Sequence, residues 1–105
     1  MSYNPTWSED EPTRAEVDGW KGVVLLEFGA DWCPICQGFQ PDLKALLAEH
    51  PDLRHVKILD GKGKPLGRSF QVKLWPNLVL LKDGEVIGQL ARPQAAEARA
   101  LLGQA

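Results

Sequence analysis

The stretch Gly29-Ala30-Asp31-Trp32-Cys33-Pro34-Ile35-Cys36 decides how this chain reads. It holds both cysteines of the 105-residue sequence, two residues apart. Before it runs Val23-Val24-Leu25-Leu26-Glu27-Phe28, almost continuously apolar and β-branched at its start. That is the pattern of a central strand covered on both faces. After it, Ile35, Phe39, Leu43, Leu46 and Leu47 fall on one face of a helical repeat running to His50, where Pro51 stops it. A CxxC where a buried strand gives way to a helix reads as a redox dithiol. The first N–H groups of a helix lack internal partners and the helix dipole adds positive potential, so a thiolate is stabilised there. Cys33 is then the nucleophile at an exposed lip. Cys36, one turn inward, is placed to attack a mixed disulfide on Cys33 and release the substrate.

The totals bound the rest. A length of 105 residues suits one domain, residues 1–105, with one core. An apolar fraction of 44% and a charged fraction of 25% are ordinary for a globular protein. No window approaches the ~18 apolar residues of a membrane span, so no membrane partner is expected. The start, Met1-Ser2-Tyr3-Asn4-Pro5, shows neither a basic nor an apolar leader region, and two cysteines in such a chain favour a reducing compartment, read here as the cytoplasm. Net charge is −2, unevenly spread. Residues 9–18 hold five acids against Arg14, and residues 54–73 hold six bases against Asp60. The basic run reads as a solvated face that could also steer an acidic protein partner. Nucleic acid is not expected, because no aromatic residues interleave the basic ones as a stacking platform.

Further along, Ser8 and Glu11 have the spacing of a capping box, with Pro12 in the first turn of a helix to Asp18 and Gly19 ending it. Residues 1–8 allow at most a short edge strand because of Pro5. Pro41 falls inside the long helix and predicts a kink. Leu53 to Leu59 reads as a strand with Val56 and Ile58 on one face, Asp60 to Pro65 as a turn cluster, and Leu66 to Phe70 as a short helix. Asn77 to Lys82 and Val86 to Leu90 form a hairpin about Asp83-Gly84. A last helix opens at Pro93, carries Ala95, Ala98, Leu101 and Leu102 on its apolar face, and ends at Gly103.

Trp32-Cys33-Pro34-Ile35-Cys36 after an apolar strand, Pro41 five residues on, Trp75-Pro76 before a second apolar strand, and Lys82-Asp83-Gly84-Glu85-Val86 occur in an order that resembles the thioredoxin family. The resemblance covers residues 8 to 103. It implies an α/β thioredoxin-like fold, with a mixed central sheet of four to five strands flanked by helices on both faces. It also implies a thiol–disulfide oxidoreductase that exchanges disulfides with protein substrates through Cys33 and Cys36, and is recharged by a partner reductase or oxidase. No cofactor and no metal are implied, and a monomer is expected.

Glu27 stands where the family usually has an aspartate. The resemblance implies a buried carboxylate that takes the Cys36 proton, since burial disfavours its charge; the other reading is a solvated group at the sheet edge. Pro76 matches the family's cis-proline across from the dithiol. Trp75 replaces a smaller residue, and Pro34 replaces the usual glycine after the first cysteine. Trp32, Pro34, Ile35, Trp75 and Pro76 together read as an exposed apolar patch for substrate docking. Lys57 is read as a surface lysine, although the resemblance also allows one beside the buried acid. Ala91 and Arg92 stand where the family often has glycine.

Two other readings exist. Cys33, Cys36, His50 and His55 satisfy a zinc-finger spacing, but a helix starting at the cysteines would leave the histidines ~25 Å from Cys33 at 1.5 Å per residue. A non-enzymatic binding, chaperone or maturation module on the same scaffold is the alternative to an enzyme.

Overall fold

A computed structural model describes residues 2–105. Four strands and four helices follow in the order α1 (Arg14–Asp18), β1 (Val23–Gly29), α2 (Pro34–Leu47), β2 (Arg54–Leu59), α3 (Pro65–Ser69), β3 (Asn77–Lys82), β4 (Glu85–Ala91) and α4 (Ala95–Leu102). The strands lie in the order β2-β1-β3-β4, with β1 parallel to β2 and antiparallel to β3, and β4 antiparallel to β3. β1 is therefore interior to the sheet, and it is buried from Val24 to Gly29, as its almost continuously apolar run requires. Among residues 2–105 no helix is long and apolar enough to cross a membrane.

The pleat divides β1 between two cores. Leu25 joins Leu78 and Leu80 beneath Phe39, Leu43, Leu46 and Leu47 of α2 and Ala98, Leu101 and Leu102 of α4. Val24, Leu26 and Phe28 pack on the opposite face with Ile58, Val79 and Leu81, covered by Val17, Leu66 and Phe70. Helices thus flank both faces. The hairpin turns through Asp83 and Gly84, both at positive φ (51° and 82°), the backbone that a two-residue turn with primed geometry needs.

Several local expectations shift. The first helix is capped by Thr13 in a capping box with Glu16, not by Ser8 with Glu11. Ser8 instead bridges to Ile58, its N–H donating to the Lys57 carbonyl, so the N-terminal segment extends the sheet by one isolated bridge beside β2. Pairing with β2 draws Ser8 out of the local cap. α2 ends at Leu47 rather than His50 and runs through Pro41. Ile35 is 47% exposed, and Cys36 takes its place on the inner face ahead of Phe39 and Leu43. α4 begins after Gln94, which caps it with Glu97, so Pro93 lies before the helix instead of inside it. Ala95 is exposed on that helix.

Candidate active site

Cys33 is the N-cap of α2, with extended backbone (φ −80°, ψ 115°), and Pro34 occupies the first helical position, where a missing N–H costs nothing. The Cys36 N–H donates to Cys33 Sγ at 3.3 Å. This is the anion-stabilising geometry of a helix start, with a sulfur in place of the usual capping oxygen. Both cysteines are free thiols. Cys33 is 6% exposed and Cys36 fully covered. The nucleophile candidate is thus set more deeply than an exposed lip, because Trp7, Leu59 and Trp75 pack around the pair. Burial pushes the Cys36 thiol up to about 12; a hydrogen bond with Cys33 and the charges of Cys33 and Glu27 act in the same direction, against one backbone hydrogen bond from Ala30. Behind the pair, a Cβ added at Gly29 would stand 2.7 Å from Cys36 Sγ and 2.8 Å from the Trp7 ring. Only glycine leaves room for the second sulfur there.

Glu27 is fully buried on the central strand, so the sheet-edge reading does not hold. Its register partners are Lys57 on β2 and Leu78 on β3. Both carboxylate oxygens accept hydrogen bonds: Oε1 from His55 Nε2 at 2.8 Å, and Oε2 from Gln40 Nε2 at 2.7 Å. Lys57 is 1% exposed and donates to Gln40 Oε1 at 2.8 Å, with its ammonium 4.4 Å from the Trp7 ring centroid. The surface reading of Lys57 is therefore overturned. In parallel pairing, period-two alternation puts Lys57 and Glu27 on the same sheet face, and the N-terminal segment then covers them. Burial lowers the Lys57 pKa, and Glu27 and Cys36 oppose that shift.

Sequence reasoning missed His55 and Gln40 as neighbours of Glu27. Placing both histidines beyond the far end of α2 fails for His55, because β2 carries it back beside Glu27. Both of its ring nitrogens are engaged, Nδ1 by the Asn4 N–H at 2.9 Å, which leaves no lone pair for a metal. Two signals were available. His55 and Lys57 alternate with Val56 and Ile58, and Gln40 lies four residues after Cys36 on the inner face of α2.

Above the dithiol, Trp32 is 68% exposed and meets Trp75 edge-on at 5.6 Å between centroids. Trp75 Nε1 donates to Asp60 Oδ2 at 2.9 Å, and Arg92 Nε donates to the Trp75 carbonyl at 2.8 Å. Pro34 and Ile35 are exposed beside them. Pro76 is not part of that exposed patch: the Trp75–Pro76 peptide is cis and the proline is buried at the start of β3.

Fold and site together define an α/β protein that carries a helix-cap dithiol at the C-terminal end of a central strand. The thioredoxin family profile matches residues 7–102, and the chain belongs to the thioredoxin family. Thioredoxin 2 from Pseudomonas aeruginosa PAO1, solved in its reduced form, is 42% identical and superposes with a TM-score of 0.83 over 94% of this chain and 96% of that one. Bacillus subtilis thioredoxin is 40% identical over 79 residues, 74% of each protein. Mitochondrial thioredoxin-3 of Saccharomyces cerevisiae is 36% identical over 76 residues, 70% of this chain. The matched stretch spans 60% of the yeast protein's length and 65% of that of Chlamydia trachomatis thioredoxin.

Proposed function

We propose that this chain is a thiol–disulfide oxidoreductase acting on protein substrates, with Cys33 as nucleophile, Cys36 as resolving thiol and Glu27 as proton acceptor. In the reductive direction the Cys33 thiolate attacks one sulfur of a substrate disulfide. The substrate S–S bond breaks and its first thiolate leaves, picking up a proton from water. Glu27 takes the Cys36 proton, and the Cys36 thiolate attacks the Cys33 sulfur of the mixed disulfide. A Cys33–Cys36 disulfide forms, the substrate leaves with both sulfurs reduced, and a reductase returns two electrons to the pair. Trp32, Pro34, Ile35 and Trp75 offer the substrate an apolar docking rim, with the Pro76 backbone beneath it. The same reading makes the protein a monomer of a reducing compartment, the cytoplasm, that needs no cofactor of its own.

The observation that carries this reading is the Cys36 N–H on Cys33 Sγ at 3.3 Å, with the second thiol covered behind it. Insulin reduction coupled to a dithiol reductant tests it. Cys33→Ser is expected to reduce turnover to background. Cys36→Ser is expected to trap a substrate adduct on Cys33, visible by mass spectrometry. Wild-type protein that binds insulin without turnover would replace the enzyme with a binding module on the same rim.

A further inference from the structure

Glu27 is held from two sides. The Asn4 N–H donates to His55 Nδ1, so that nitrogen is an acceptor and the ring proton sits on Nε2. His55 is therefore a neutral imidazole donating to Glu27 Oε1. The Gln40 side-chain amide is fully used. Its two N–H bonds go to Glu27 Oε2 at 2.7 Å and the Cys36 carbonyl at 2.9 Å. Its oxygen accepts from Lys57 Nζ at 2.8 Å and the Tyr3 hydroxyl at 2.7 Å. Donor and acceptor demands permit only this orientation of the amide: the NH2 must face the carboxylate and the oxygen must face the ammonium. Gln40 thus stands between Glu27 and Lys57 and ties both to the turn that bears Cys36.

We infer that Gln40 and His55 are positioning residues that clamp the Glu27 carboxylate, one donor on each oxygen, and so hold it ready to accept the Cys36 proton. This rests on the reading of Glu27 as proton acceptor. One donor on each oxygen fixes the carboxylate in a single orientation beside the turn that bears Cys36. The titratable and charged groups around Glu27 are His55 and Lys57 from β2, Cys36 from α2 with Cys33 at its cap, and Tyr3 from the N-terminal segment. β3 contributes only apolar Leu78 and Leu80 to this face. Neither Gln40 nor His55 need touch the reacting sulfurs; both act through Glu27.

Reaction of the reduced protein with 5,5′-dithiobis(2-nitrobenzoate) in stopped flow separates the steps. The first thionitrobenzoate released reports Cys33 attack, and the second reports resolution by Cys36. The resolving phase is expected to slow about tenfold in Gln40→Met, matched in length but without donors, the order expected for one lost hydrogen bond to a charged group. His55→Leu should slow it similarly, and His55→Gln, which keeps a donor, should largely restore it. The Cys33 phase should stay within about twofold throughout. If Glu27→Gln slows the resolving phase while Gln40→Met leaves it at the wild-type rate, the clamp is wrong and Glu27 survives. If Glu27→Gln leaves the resolving phase untouched, the reading of Glu27 itself is wrong. Should a variant fail to fold, nitrogen-15 NMR of the wild type decides. His55 protonated on Nδ1, or Gln40 amide protons exchanging at the rate of a free side chain, would overturn the clamp.

Discussion

The rim above the dithiol and the floor beneath it use opposite physics at one end of one strand. The rim is Trp32 and Ile35, large apolar groups left in water, beside the half-buried Trp75; Trp32 is 68% exposed. The floor is Glu27, His55, Gln40 and Lys57, polar groups taken out of water, with both Glu27 oxygens and the Lys57 ammonium given specific partners. An exposed apolar group keeps its binding free energy in reserve for a partner. A buried charge is tolerated only if each hydrogen-bonding position is met, and meeting them fixes its geometry. On the proposed function, the contrast suits the floor to managing a proton and the rim to accepting varied chains.

Breaking the floor alone should have the largest effect. Glu27→Gln is expected to slow the resolving step about a hundredfold, the low end of a general-base contribution, and to leave Cys33 attack nearly unchanged; stopped-flow thiol release measures both. The boundary comes next. Gly29→Ala forces a methyl against Cys36 Sγ and the Trp7 ring and should destabilise the fold by about 2 kcal/mol, as overpacking does; urea denaturation of the reduced protein checks it. Breaking the rim alone should be smaller and of a different kind. Trp32→Ala is expected to raise KM for insulin about tenfold, ~1.4 kcal/mol, with kcat for a small aromatic disulfide unchanged. Equal losses on both substrates would show that the two regions are not separable.

The smallest effect is on stability at high pH. The Cys36 thiol is pushed up from the ordinary 9.0 to about 12 in the folded protein. A group raised in the folded state favours folding below its unfolded value, and that contribution is lost as pH rises through the folded one. The stability advantage of wild type over Cys36→Ala under reducing conditions is therefore expected to shrink between pH 9 and 12. Lys57, lowered by burial, acts with the opposite sign in the alkaline range, but both proteins carry it and the comparison removes its contribution. Denaturation midpoints at successive pH values measure the difference; a constant gap would contradict the burial assigned to Cys36.

Much of this is legible in the sequence. The strand before the dithiol, the helix after it, the hairpin at Asp83-Gly84 and the covered position of Cys36 follow from local pattern: an almost continuous apolar run, a 3.6-residue repeat, a turn dipeptide and a one-turn offset. The lysine could not be read in the same way. A charge on a strand of alternating character is solvated or buried according to what lies over that face, and here the cover is supplied by Tyr3, Pro5 and Trp7, far away in sequence. The Ser8 cap was misjudged for a similar reason, since a bridge to Ile58 competes with a local hydrogen bond and wins.

The sequence by itself determined that two thiols stand at a helix start beside a buried strand, because helix and strand periods are properties of neighbouring residues. Only the tertiary structure decided which polar side chains meet beneath them. The parallel pairing of β1 with β2 aligns Glu27 with Lys57 and brings His55 to the same face, and Gln40 reaches in from α2. That meeting depends on contacts across 13 to 28 residues of chain, where no short-range pattern carries information about which partner will be found.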